Sequence, residues 1–274
     1  MLRLLERNIA SLQDRLLLLA PPGADVPPSF SRVSHAPGEH ARLVHEMQQL
    51  RGSIYLRDGA VRPEQLSRNG LHRTPEDDRS WHLLMVNKDR RVSACAWYMG
   101  HDGDATFERL RVRNCALARA DGWRHKLWLA IESEIVSARR ERLGYAEVGG
   151  WAVAPENRCS SDGLLLALTA YSLGRVMGGV LGLTTATVRH SSSRILRRIG
   201  GASLEVGGNS VPAYFDPKYS CEMELLRFDS RRPNPRYAAL VELLRMKLST
   251  VAVLACGMDP LTVDSASAPD YAAA

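Results

Sequence analysis

The stretch GGWAVAPENRCSSDG, residues 149–163, runs an apolar segment into proline, then into polar and small residues. It ends in a helix as apolar as LLLALTAYSLGRVMG. A strand–turn–helix corner of small residues can leave backbone N–H groups free to hold a phosphate. The helix start carries unpaired donors and about half a positive charge. The donors concerned belong to Cys159, Ser160, Ser161, Asp162 and Gly163. The same pattern also fits an ordinary packing corner. Further along stand Arg175, Arg194, Arg197 and Arg198. This basic group reads either as a solvated helix face or as a landing site for an acidic partner.

Other chemistries find little support. His40 and His45 are the nearest histidine pair, at the wrong interval to share a helical face, and HExxH is absent, so no metal site is expected. GxSxG is missing too. His190, Ser191, Ser192 and Ser193 read as a helix-capping cluster, not as a nucleophile and its base. Cys95, Cys115, Cys159, Cys221 and Cys256 are scattered, odd in number and never spaced CxxC. That predicts reduced thiols and a cytoplasmic protein. A net charge of +6 suits an anionic cofactor, an acidic protein or a lipid surface. Nucleic acid is disfavoured, because no helix-turn-helix, zinc-finger or aromatic-plus-basic signature is present.

These residues need elements to position them. Leu5, Ile9, Leu12, Leu16 and Leu19 form a helical stripe, predicting an amphipathic N-terminal helix over residues 1–20. Glu6, Arg7, Asp14 and Arg15 interrupt it too often for a signal peptide. Docking on its own domain or a sister chain is expected of it, with membrane-surface contact as the alternative. Residues 21–37 carry clustered prolines and read as a linker, residues 38–256 as the folded domain, and 257–274 as a disordered tail. Within the domain, EHARLVHEMQQLRGSIYLR predicts a helix, WHLLMVN and VSACAWYM a hairpin, and FERLRVRNCAL a third strand. A helix follows, with Leu127, Ile131, Ile135 and Val136 facing inward. YAEVGGWAV predicts a strand, followed by the apolar helix from Asp162, the strand VLGLTTATV, the basic helix SSSRILRRIGG and the strand CEMELLRF. The expected fold class is α/β, a mixed sheet flanked by helices.

This order, with PENRCSSDG entering the central helix, resembles the GNAT acyltransferase superfamily, whose signature Q/R-x-x-G-x-G/A joins a strand to a helix. Arg158 takes its first slot, Ser161 stands where the first glycine would, and Gly163 takes the last. RTPEDDRSWHLLMVNKDRRVSACAWY is similar to the lead-in of acyl-homoserine-lactone synthases and their relatives, the long-chain N-acyl amino acid synthases. The first helix of the domain, with Arg51 and Tyr55, resembles theirs. YAEVGGWAV resembles their Glu-Val-x-Arg strand, with Glu147 aligned and Gly150 where the lactone synthases keep arginine. That departure favours the N-acyl amino acid branch.

The resemblance implies a mostly antiparallel twisted sheet and a thioester donor, either acyl-CoA or the acyl-phosphopantetheine of acyl carrier protein. Arg158 and the N–H groups of residues 159–163 would hold its phosphates. Backbone splayed after Val153 would receive the pantetheine amides and the thioester oxygen. Glu147 would help remove the proton of the attacking amine. The family's tyrosine acid has no equivalent in SSSRILRRIGG. Acyl carrier protein would dock on the four arginines. The implied function is transfer of a long acyl chain to the amine of an amino acid or similar small acceptor. Acetyl-CoA-dependent N-acetylation and a non-catalytic GNAT-fold binding module are the alternatives.

Overall fold

Leu16–Leu19 are buried on alternate sides, Leu16 and Leu18 in one core, Leu17 and Leu19 in another. Such a run belongs to a strand covered on both faces. A computed structural model, which describes residues 2–101, 103, 105–158, 160–189 and 192–257, forms it into β1. The helix expected over residues 1–20 is therefore only α1 (Leu2–Ala10), followed by a short 3-10 turn. Leucines at helical spacing and leucines buried on both faces look alike in sequence, and the pairing partners decide between them.

The proline-rich stretch is no free linker either. It supplies the edge strand β2 (Val33–His35) and the start of α2 (Pro37–Arg57), where Pro37 occupies the first turn and loses no hydrogen bond. The folded unit thus reaches back before residue 38. Of the expected tail, only Gly257 lies within the described residues.

β3 (Trp81–Val86) and β4 (Val92–His101) form the expected hairpin. The strand expected at FERLRVRNCAL is instead three 3-10 turns, Phe107–Arg109, Arg111–Asn114 and Leu117–Arg119. β4 is already paired on both edges, and the N–H groups of Phe107, Arg111 and Val112 are taken by carboxylates. α3 (Arg124–Arg140) buries Leu127, Ile131 and Ile135 as expected, but leaves Val136 exposed. Next come β5 (Gly144–Val153), α4 (Asp162–Val176), β6 (Val180–Thr187) and α5 (Ser192–Ile199). The short strands β7 (Ala202–Ser203), β8 (Glu205–Val206), β9 (Asn209–Ser210) and β10 (Tyr214–Asp216) lead into β11 (Cys221–Asp229). α6 (Pro235–Leu248) and β12 (Ala252–Ala255) complete the described elements.

The main sheet runs β10-β11-β6-β5-β4-β3-β1-β12-β2, with β7 also on β11. It is mostly antiparallel. The parallel pairs are β5–β6, β1–β12 and β12–β2. α4 is apolar nearly all round because it is sandwiched between the sheet and α6, with α1 beside them. α2 and α3 cover the opposite face. Among the described residues, no helix is long and apolar enough to cross a membrane.

Candidate active site

The parallel pairing of β5 with β6 holds from Gly144–Val180 to Val148–Thr184 and then stops. β5 stays with β4 as far as Val153, and β6 stays with β11 as far as Thr187, so the sheet opens into a V. The parting was expected after Val153. It begins after Val148, and the Ala154 N–H is spent on the Ser93 carbonyl. Gly149 and Gly150 shape this bend. The β4–β5 register shifts between Cys95 and Trp97, Gly150 has φ +66°, and a Cβ there would lie 2.2 Å from the Trp97 ring. An arginine at position 150 has no room in this backbone.

The V opens on a cleft of about 530 Å³. One arm carries Val153, Arg158, Ser160 and Gly163, at the start of α4. The other wall presents Arg51, Tyr55, His72, Trp97, Arg111 and Tyr219. Beside the V a small apolar pouch of about 20 Å³ lies between Val148, Trp151, Tyr171, Leu196 and Phe228.

At the α4 corner, the Arg158 guanidinium donates to both oxygens of Asp58, at 2.9 and 2.6 Å. Ser160 Oγ accepts from the Asp162 N–H. Ser161 and Asp162 do not line the cleft. Ser161 Oγ accepts from Asn8 at 2.6 Å, and the buried Asp162 carboxylate pairs with Arg15 at 2.8 Å and accepts from Asn157 at 2.7 Å. Those two side chains tie the corner to the N-terminal segment. Cys159, His190 and Ser191 lie outside the described residues.

Glu147 also departs from expectation. Its side chain does not line the cleft. It is buried, accepting from the backbone N–H groups of Arg111 (2.7 Å) and Val112 (3.0 Å) and contacting His101 Nε2 (3.1 Å). A carboxylate so fully engaged positions the Arg111 turn and is not open to an incoming amine. The four arginines expected to act together stand on two helices, α4 and α5. Arg175 lies at the far end of α4 and pairs with Glu242; Arg197 pairs with Glu224; Arg198 stacks over Tyr237. Arg194 is exposed on α5.

The wall opposite the α4 start rests on a network that the sequence did not announce. Arg51 donates through both terminal nitrogens to Asp77, at 2.8 and 2.7 Å, and to the His72 carbonyl at 2.6 Å. Gln48 and Thr74 also donate to Asp77. Burial opposes charge on Asp77, but the Arg51 hydrogen bonds outweigh it and hold the carboxyl below its ordinary range. Burial, helped by the charges of Arg51, Lys218 and Arg111, pushes His72 down to about 4, so it is neutral at pH 7. His82 donates Nε2–H to the Asp77 carbonyl at 2.8 Å, and burial holds it at about 4 as well. Arg111 lies over the Trp97 ring at 5.8 Å, bonded to Tyr219 Oη (2.8 Å) and paired with Glu76 (3.2 Å).

No family model and no curated protein matches the sequence. Solved structures do. BjaI, a CoA-dependent acyl-homoserine lactone synthase solved with SAM and isopentyl-CoA, superposes with a TM-score of 0.52 at 12% identity, over 92% of this chain and 97% of its own. TofI, solved in a ternary complex with an inhibitor and MTA, gives 0.51 at 12% identity, over 85% and 99%. FeeM, an N-acyl amino acid synthase from uncultured soil microbes, gives 0.44 at 12% identity, over 73% and 90%. The chain has the fold of the acyl-homoserine lactone synthase BjaI and of TofI.

Proposed function

We propose that this protein transfers an acyl group from a phosphopantetheine thioester to the amine of a small acceptor, with an amino acid as the expected acceptor class. The observation that carries the reading is the parting of β5 from β6 over a cleft whose two walls differ in chemistry. The pantetheine arm lies in the V, its amides against the backbone of residues 149–153 that has no β6 partner. Its phosphates meet the start of α4 and Arg158, which exchanges Asp58 for them. Val153 and Gly163 flank that path; the N–H groups of Ser160 and Asp162 are already spent on the Asn157 carbonyl and on Ser160 Oγ, so the donors proposed for it are those of Ser161 and Gly163.

The amine nitrogen attacks the thioester carbonyl carbon; a C–N bond forms, the C–S bond breaks, and the proton shed by the nitrogen passes, directly or through water, to the leaving thiolate. Glu147 acts as a positioning residue for Arg111. His72, neutral and in the acceptor wall, accepts a hydrogen bond from an amine that arrives unprotonated, since a conjugate acid near 4 makes it too weak a base to deprotonate an ammonium. The donor reading covers coenzyme A and acyl carrier protein alike. Arg175, Arg194, Arg197 and Arg198 remain the docking surface proposed for acyl carrier protein.

A long acyl chain extends along the 530 Å³ cleft in this reading. One observation favours short-chain transfer as a second reading: the apolar pouch beside the V, lined by Tyr171, Leu196 and Phe228, has room for only about 20 Å³. A panel of saturated acyl-CoA donors from acetyl to dodecanoyl, offered with mixed amino acids, separates the two. Amide product detected by mass spectrometry, with one thiol released per amide, is expected. Turnover that peaks at acetyl-CoA supports the second reading. Thiol release independent of any amine contradicts both.

A further inference from the structure

Four arginines line the cleft, and three of them already face a carboxylate: Arg51 faces Asp77, Arg111 faces Glu76 and Arg158 faces Asp58. Arg189 is different. It follows the end of β6, where Thr187 Oγ1 donates to its carbonyl at 2.9 Å and fixes the backbone. Its Nη2 donates to the Tyr219 carbonyl at 3.2 Å, while its Nε is buried and has no partner. None of the ion pairs among the described residues includes it. A buried guanidinium N–H left without a partner is destabilising, and an arriving anion removes that cost.

The position says which ligand brings the anion. Arg158 follows β5 and Arg189 follows β6, so the two guanidiniums stand on the two arms of the V. The donor's phosphates belong to the α4 arm. Arg189 shares Tyr219 with Arg111, on the acceptor wall, where Lys218 also lies over the Tyr219 ring at 5.6 Å. Guanidinium presents a planar fork that matches a carboxylate, and the bond is charge-assisted. We propose that Arg189 anchors the carboxylate of the acceptor, so that the cleft selects amino acids over amines that lack an acid group. The inference rests on the acyl-transfer reading only for the identity of the cleft's second ligand.

Calorimetric titration tests it without turnover, using the twenty standard amino acids and their carboxamides as probes on wild type, Arg189→Gln and Arg189→Lys. At least one free acid is expected to bind wild type about tenfold or more tightly than its carboxamide, the loss expected for a charge-assisted hydrogen bond. Arg189→Gln should erase that preference with coenzyme A binding unchanged. Arg189→Lys, which keeps the charge and loses the fork, should weaken the acid several-fold yet keep the preference, and it decides the matter if the glutamine variant does not fold. Equal binding of acid and carboxamide, no binding by any probe, a preference that survives Arg189→Gln, or a loss of coenzyme A affinity instead overturns the proposal. Arg189-dependent acid binding without amine-dependent thiol release would defeat the catalytic reading and leave this one standing; turnover without acid preference does the reverse.

Discussion

Arg51–Asp77 and Arg158–Asp58 are both arginine–carboxylate pairs in one cleft, yet they are built for opposite tasks. Arg51 uses two nitrogens on two oxygens, its side chain is 1% exposed, and Gln48 and Thr74 complete the carboxylate. Arg158 uses a single nitrogen, and its side chain is 41% exposed. An exposed pair is worth about 0–1 kcal/mol and is screened by salt, so a phosphate can displace it. A buried pair cannot give up one partner without stranding the other. One wall of the cleft is therefore fixed, and the other is able to exchange partners.

The sharpest way to break this contrast is Arg51→Met. It strands Asp77 in a buried site and should cost about 3–5 kcal/mol, read as a drop in the urea midpoint. A change below about 1 kcal/mol would mean that the two walls do not differ. Acid acts on the same wall. His72 and His82 have pKa values depressed to about 4, so the unfolded chain, with histidines near ~6.5, binds more protons between those values. Their contribution is complete above about pH 6.5 and is lost as pH falls through about 4, up to about 3 kcal/mol for each. A pH series of urea midpoints should fall over that window, with His82→Gln flattening part of the slope. A midpoint constant from pH 7 to 4 would contradict the assignment of neutral buried imidazoles.

Smaller effects sharpen the comparison. Glu147→Gln keeps one acceptor oxygen and should destabilise by about 1–3 kcal/mol, because two backbone N–H groups then compete for it. Acceptor KM should rise with the displaced Arg111 turn, and the pH–rate profile should keep its shape. A profile that loses its acidic limb would restore Glu147 as the general base. Smallest in stability is Arg158→Gln, within about 1 kcal/mol of wild type. It should raise donor KM and weaken the salt dependence of donor binding while leaving acceptor KM unchanged. Parallel rises in both would remove Arg158 from the donor arm.

How much of this could be read in the sequence follows from the range of each interaction. The helix at Asp162, the strands on either side of it and the hairpin at Trp81 carry their signals locally, in runs of apolar residues with turn residues between them. Leu16–Leu19 misled because burial on both faces hides the strand period. The Arg51–Asp77 fork joins residues 26 apart in the chain, and the Glu147 bonds to the Arg111 turn span 36, so no spacing rule exposes them. Gly150 was legible as a departure from a related strand, but its cause was not: the Trp97 ring fills the space of a side chain there. The arginines and the two helices that carry them were visible in sequence, and the carboxylates that Arg175 and Arg197 pair with were not.

The central claim, that the start of α4 on the β5 arm receives the donor's phosphates, is tested most directly by titrating coenzyme A into wild type and Gly163→Val. A Cβ at Gly163 meets only Val153, at 3.6 Å, so the fold should tolerate the substitution. The valine methyls should crowd the helix start where a phosphate must approach. Saturable binding to wild type, weakened about tenfold or more in Gly163→Val with an unchanged circular dichroism spectrum, is the predicted result. Equal affinity in a folded variant, or no binding to wild type, would contradict the account.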